Sequence, residues 1–151
     1  MINRIKALFS EGSAKAGPLG KDELQAAAAA LLVETACMDG HFDADERKSI
    51  LALMKSHFDL NNEESETLIA EAEAVVEESG DLYTFTRVIK DRYETKQRIE
   101  MIEMLWEVAF ADGSVDYFEA NLISRIAGLI YVNDRDRGES RKRVMARLGI
   151  G

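Results

Sequence analysis

One pattern occurs twice in this chain and limits what the chain can fold into. Asp39, Gly40, His41, Phe42, Asp43, Ala44, Asp45, Glu46 and Asp112, Gly113, Ser114, Val115, Asp116, Tyr117, Phe118, Glu119 both read D-G-x-apolar-D-x-x-E. Each copy follows an apolar segment that carries a glutamate five residues before the first aspartate, Glu34 or Glu107, and each leads into a second apolar segment. The offset of 73 residues also pairs Leu31 with Met104, Leu32 with Leu105, Ala36 with Ala109, Ile50 with Ile123 and Phe58 with Tyr131. These pairs predict an internal duplication of helix, acidic loop and helix.

The rest of the chain agrees with an all-α fold. At 151 residues one domain is expected, large enough to bury roughly two thirds of the surface of the unfolded chain. A single proline among many Ala, Leu, Glu, Lys and Met favours helix, and no convincing period-two pattern marks a strand. Residues 1–20 divide into a short amphipathic helix, Met1 to Phe9, and a linker rich in Gly, Ser and Ala; residues 21–151 form the helical domain. Helices are expected from Lys21 or Asp22 to Met38, from Ala44 to Phe58, from Asn61 or Asn62 to about Glu78, and from Asp81 to Tyr93. Three more follow over Thr95 to Ala111, Tyr117 to Val132 and about Asp136 to Leu148. In the first of these, Leu24, Ala27, Ala28, Leu31, Thr35 and Met38 share one face, and the alanines from Ala26 to Ala30 let a neighbouring helix come close. Trp106, at the position of Val33 in the other copy, is expected to fill the core.

Several function classes are set aside by composition. The lone cysteine, Cys37, makes no intramolecular disulfide and is expected to be a small buried hydrophobe. No apolar run approaches the ~20 residues that span a bilayer, and the N-terminus lacks a signal peptide's apolar region, so a cytoplasmic location without stable membrane insertion is expected. A net charge of −9 argues against nucleic-acid binding, whose affinity comes largely from neutralising phosphates. The charge is uneven. Nine acidic residues and no Lys or Arg lie between Asp59 and Asp81, whereas Arg135 to Arg147 holds six basic residues. Both stretches suit solvated helix faces or a polar surface for a protein partner, and the amphipathic helices leave a homodimer open.

The acidic loops have two interpretations. As structure, Gly40 ends a helix, the apolar Phe42 or Val115 turns inward, and Asp43 and Asp116 cap the next helix. Glu46 and Glu119, three residues on, complete capping boxes. Capping does not account for Asp39 and Asp112, which sit at helix C-termini where the dipole disfavours an anion. Nor does it account for Glu34 and Glu107 on apolar helices. Four carboxylates within thirteen residues in each copy form an oxygen-rich set of the kind Ca²⁺ or Mg²⁺ uses, although the spacing is not that of an EF-hand. Metal binding, capping alone and a recognition surface for a basic partner remain open. His41 and His57 are replaced by Ser114 and Ile130 in the other copy, so neither suits a duplicated site. No catalytic signature is present; a carboxylate-dependent hydrolase would need a pocket joining both loops.

The stretches "LLVETACMDGHFDADE" and "MLWEVAFADGSVDYFE" resemble the tellurite-resistance TerB family and its relatives, among them the N-terminal domain of the membrane-anchored DnaJ-like co-chaperone. The similarity runs from about Leu19 to Leu148, and the second copy, with Trp106, Ala109, Ala111, Asp112, Gly113 and Glu119, is the more specific. The resemblance implies a compact all-α bundle of about seven helices with an internal pseudo-twofold. It also implies a divalent-cation site at Asp39, Asp43, Glu46, Asp112, Asp116 and Glu119, flanked by Glu34 and Glu107, in a non-enzymatic stress-response protein linked to tellurite resistance. The chain has no J-domain signature, so the co-chaperone role does not carry over.

Overall fold

The computed structural model describes residues 21–38, 43–79, 82–110 and 117–149. Within them the chain forms seven α-helices and no strand: α1 Lys21–Met38, α2 Ala44–Phe58, α3 Asn62–Ser79, α4 Leu82–Arg92, α5 Thr95–Ala109, α6 Tyr117–Leu129 and α7 Asp134–Leu148. The expected N-terminal helix and linker, the glycines Gly40 and Gly80, Phe42 and Val115 with their expected inward turn, His41 and the expected cap Asp81 lie outside the described residues.

The helix starts follow local chemistry. Asp43 has extended dihedrals and its Oδ1 accepts from the Glu46 N–H at 2.9 Å, which caps α2. Asn61 and Glu64 form a reciprocal box before α3: Asn61 Oδ1 accepts from the Glu64 N–H at 2.7 Å and Glu64 Oε1 from the Asn61 N–H at 2.9 Å. Asn133 Oδ1 accepts from the Asp136 N–H at 2.8 Å, so α7 starts at Asp134, two residues before the expected start.

The ends of α2 and α6 share one turn. Leu60 N–H donates to Lys55 O at 3.1 Å and Val132 N–H to Ala127 O at 2.8 Å, each across a non-glycine residue in the left-handed region, Asp59 at φ 55° and Tyr131 at φ 62°. This closure stops α6 at Leu129, short of the expected Val132. At the far end of the domain α7 closes on Gly149 at φ 72°, a conformation that glycine adopts without a Cβ penalty.

Helix starts also recur across the two halves. Lys21, Ala44 and Asn62 open α1 to α3; Thr95, Tyr117 and Asp134 open α5 to α7, each within one residue of the position 73 further on. The pairs Leu31 and Met104, Leu32 and Leu105, Ala36 and Ala109, and Ile50 and Ile123 are all buried. Phe58 and Tyr131 part company, one half-buried and the other exposed.

The core is organised around α1. Every residue from Gln25 to Glu34 is buried, so this helix is covered on all sides and not on the single face its pattern suggested. It packs on α2, α3, α4 and α5. The alanines make that feasible: with only a methyl group at five consecutive positions, neighbouring backbones approach from every direction. Near the exposed end of α1 the cover thins, and Cys37 is exposed, contrary to the buried position expected for it. It lies past the encased segment, on the last turn. Its thiol pKa is nevertheless raised, by partial burial first and then by the charges of Glu34 and Glu73, so the thiolate is disfavoured. Trp106 occupies the core as expected, against Phe110 at 5.9 Å between ring centres.

Candidate functional site

The two halves meet at a narrow cleft. Its lining includes Leu32, Thr35 and Ala36 from α1 with Leu105, Val108 and Ala109 from α5, and Glu46 from α2 with Glu119 from α6. These eight residues form four pairs at the 73-residue offset: Leu32 with Leu105, Thr35 with Val108, Ala36 with Ala109, and Glu46 with Glu119. The cavity holds about 20 Å³, room for one particle the size of a water molecule. Both glutamates stand in the first turn of their helices, where the positive end of the helix dipole favours a carboxylate, and both are half-buried. The fold therefore places the last acidic residue of each repeated motif on the lining of one cleft.

The remaining candidates are distributed differently. Asp43 is exposed and its Oδ1 is engaged as the α2 cap, as the structural interpretation of the loop requires. Glu34 is only 4% exposed on α1. Its counterpart Glu107 faces outward on α5 and forms an ion pair with Arg147 of α7, which also holds Glu103 at 3.3 Å. Partial burial alone would lower the Arg147 pKa, but the hydrogen bonds and charges of Glu107 and Glu103 raise it above the ordinary value. The position 73 residues before Arg147 is Ala74, so this ion pair has no equivalent at that position in the first half. Asp39, Asp112 and Asp116 lie outside the described residues, and among the described residues no three His, Cys, Asp or Glu are grouped so as to hold a metal ion.

A second, wider cleft of about 360 Å³ opens between α2 and α5, lined by His57, Glu100, Glu103, Glu107 and Arg147 among others. His57 Nε2 lies 3.4 Å from Glu100 Oε2, and Arg143 Nη2 reaches Glu103 at 3.2 Å. Sequence reasoning had not linked the basic end of the chain to these glutamates. The signal was there: Glu103 and Glu107 are four apart, as are Arg143 and Arg147, so each pair occupies one helix face and the two faces match. The acidic stretch is likewise partly neutralised from outside itself, because Arg47 of α2 binds Glu66 and Glu73 of α3, each at 3.1 Å.

Among the described residues no helix is long and apolar enough to cross a membrane. A protein-family model described as tellurite resistance protein TerB matches residues 25–142. No curated protein and no solved structure showed significant similarity. The matched span begins inside the encased part of α1, includes both acidic motifs and the cleft they share, and ends within α7; the chain belongs to the TerB family.

Proposed function

We propose that the chain is a non-enzymatic, cytoplasmic stress-response protein whose paired acidic loops bind a divalent cation between the two halves, with tellurite resistance as its physiological setting. The observation that carries this proposal is the convergence of Glu46 and Glu119 on one ion-sized cleft lined by equivalent residues of both repeats. The donor chemistry fits a hard cation. Among the described residues the polar lining includes carboxylates and a threonine hydroxyl but no thiolate or imidazole, which suits Ca²⁺ or Mg²⁺ better than Zn²⁺. Glu46 and Glu119 would hold the ion from the helix side. Asp39, Asp43, Asp112 and Asp116 would supply the loop oxygens and Glu34 would flank them, whereas Glu107 lines the second cleft and is held there by Arg147. A bound ion would offset the repulsion among these carboxylates and tie the halves together.

The test is the melting temperature of chelator-treated protein titrated with Ca²⁺, Mg²⁺, Mn²⁺ and Zn²⁺, beside Glu46→Gln and Glu119→Gln. A ligand at ~100 times its dissociation constant adds about 2.7 kcal/mol, which raises the melting temperature of a domain this size by several degrees. A saturable rise that both substitutions abolish supports the site. No rise with any cation up to millimolar concentration removes it. In that case the cap bond of Asp43 favours the other interpretation, a protein-interaction module whose loops are helix caps alone.

A further inference from the structure

α4 stands outside the repeat: α1 to α3 correspond to α5 to α7, and α4 lies between the two sets. It packs on α1 and α6. Contacts at its end fix where it sits. The hydroxyl of Tyr93, just past the helix, donates to Leu24 O at 2.6 Å, and Lys90 Nζ lies 5.4 Å from the centre of the Tyr131 ring. The residues 73 positions away from Leu24 and Tyr131 are Gln97 on α5 and Phe58 on α2, and both line a hollow of about 70 Å³. That hollow shares His57, Glu100 and Met104 with the wider cleft of about 360 Å³. Where α4 covers α1 and α6 in one half, α2 and α5 therefore meet at an open, two-part cleft in the other.

Burial follows this difference. Ala27, Ala30 and Ile130 are fully buried, whereas their counterparts Glu100, Glu103 and His57 are not. The place before α1 that α4 holds before α5 belongs to residues 1–20, which lie outside the described residues. Their sequence carries the pattern of α4. Ile2, Ile5, Leu8 and Phe9 repeat, at an offset of 80, the spacing of Leu82, Phe85, Val88 and Ile89, all four of which are buried in α4. The seven residues by which 80 exceeds 73 fall between Phe9 and Lys21, in the linker rich in Gly, Ser and Ala.

Two substitutions match across the proposed contact. Thr86, 2% exposed within α4, corresponds to Lys6, and the alanines Ala27 and Ala30 correspond to Glu100 and Glu103. Glu103 is already held by Arg143 and Arg147, but among the described residues the ion-pair partner of Glu100 is His57, with no Lys or Arg. Residues 1–20 hold three basic residues against one acidic, in a chain of net charge −9.

We propose that residues 1–9 form a helix that seats on α5 and α2 as α4 seats on α1 and α6, with Ile2, Ile5, Leu8 and Phe9 over the hollow and Lys6 toward Glu100. The occupant is this segment of the same chain because it has both the apolar spacing of α4 and the connection to reach the cleft. Leu24, which lines the hollow, is one turn into α1, and the twelve residues from Phe9 to Lys21 span up to ~40 Å. The arm thereby closes the cleft of its own chain, independently of the cation site.

A nitroxide on Ala7→Cys, in a Cys37→Ser background of the full isotope-labelled chain, tests this by NMR. Ala7 corresponds to the exposed Arg87, so the label points away from the contact. Amide signals of Ser56 to Phe58 and of Gln97 to Glu103 should be broadened most. Ile5→Asp with Leu8→Asp should abolish that broadening while far-ultraviolet circular dichroism still reports a folded domain. Glu100→Lys should reduce it, and adding Lys6→Glu should recover it. Chelator should leave the pattern unchanged, which separates this result from the fate of the cation site. Broadening centred on another face, broadening that survives the two aspartates, or indifference to Glu100→Lys would overturn the proposal. So would broadening passed from a nitroxide-bearing chain to an isotope-labelled chain mixed with it, which would make the occupant a second copy.

Discussion

The encasement of α1 makes Ala29 the most exacting position to perturb. Its side chain is fully buried in the middle of the alanine run, so Ala29→Leu must find room for three extra carbon atoms among helices packed on every side. Overpacking of this kind costs typically about 1–3 kcal/mol; at ~2 kcal/mol the melting temperature of a domain this size falls by about 4–8 °C. Ala29→Gly should also destabilise. It gives up a buried methyl, worth about 0.8 kcal/mol, and about 1 kcal/mol of helix propensity. Loss in both directions is the signature of a close approach, since a loosely packed helix would be stabilised by one of the two changes. Ala52→Leu, on the exposed side of α2, is the control and should stay within about 0.5 kcal/mol. Equilibrium denaturation followed by far-ultraviolet circular dichroism, checked against Trp106 fluorescence, measures all three. If Ala29→Leu were neutral or stabilising, the alanine run would be a matter of helix propensity alone, and the argument that it sets the spacing of four neighbouring helices would be wrong.

Two further predictions concern single side chains. The Trp106 Nε1 is buried without a hydrogen-bond partner among the described residues. Trp106→Phe removes that unpaired donor, whose burial costs about 1–3 kcal/mol, while forfeiting ring area and the Arg141 guanidinium 5.5 Å from the ring centre. A net loss below ~1 kcal/mol in denaturant melts is expected, against ~3–5 kcal/mol for Trp106→Ala, and a Phe variant as damaging as the Ala variant would contradict this. Cys37 is exposed but its thiol pKa is raised, so less thiolate is present at a given pH. Its alkylation at pH 8 should be slower than that of a free thiol peptide and should accelerate in Glu73→Gln; a rate equal to the peptide's would refute the effect of its surroundings.

Much of the fold was legible because helix formation is governed at short range. Bonds from residue i to i+4, a capping side chain three residues before its amide, and a left-handed residue at a helix end all lie within a few positions of each other. For that reason Asp43, Asn61, Asn133 and Gly149 mark boundaries close to those read from the chain, and the 73-residue offset places matching helix starts in both halves. The candidate site was legible only in part. The repeated motif singled out Glu46 and Glu119, but their meeting depends on how α1 and α5 lie against each other, about which neither motif carries information.

Sequence by itself determined that the chain is helical, where most of its helices begin, that Trp106 belongs inside, and that it carries the TerB pattern. Tertiary structure decided which surfaces those helices keep. It buried α1 on all sides where periodicity indicated one face, because Ala is equally at home on every side of a helix and gives no direction. Cys37 was left exposed because cover runs out at the last turn. Glu34 and Glu107, equal in the repeat, came apart in the fold: Glu34 is buried on α1, whereas Glu107 is half-buried and pairs with an arginine forty residues downstream. Burial and ion pairing are properties of what arrives from elsewhere in the chain, so two similar local sequences can form the same helix and still meet different neighbours.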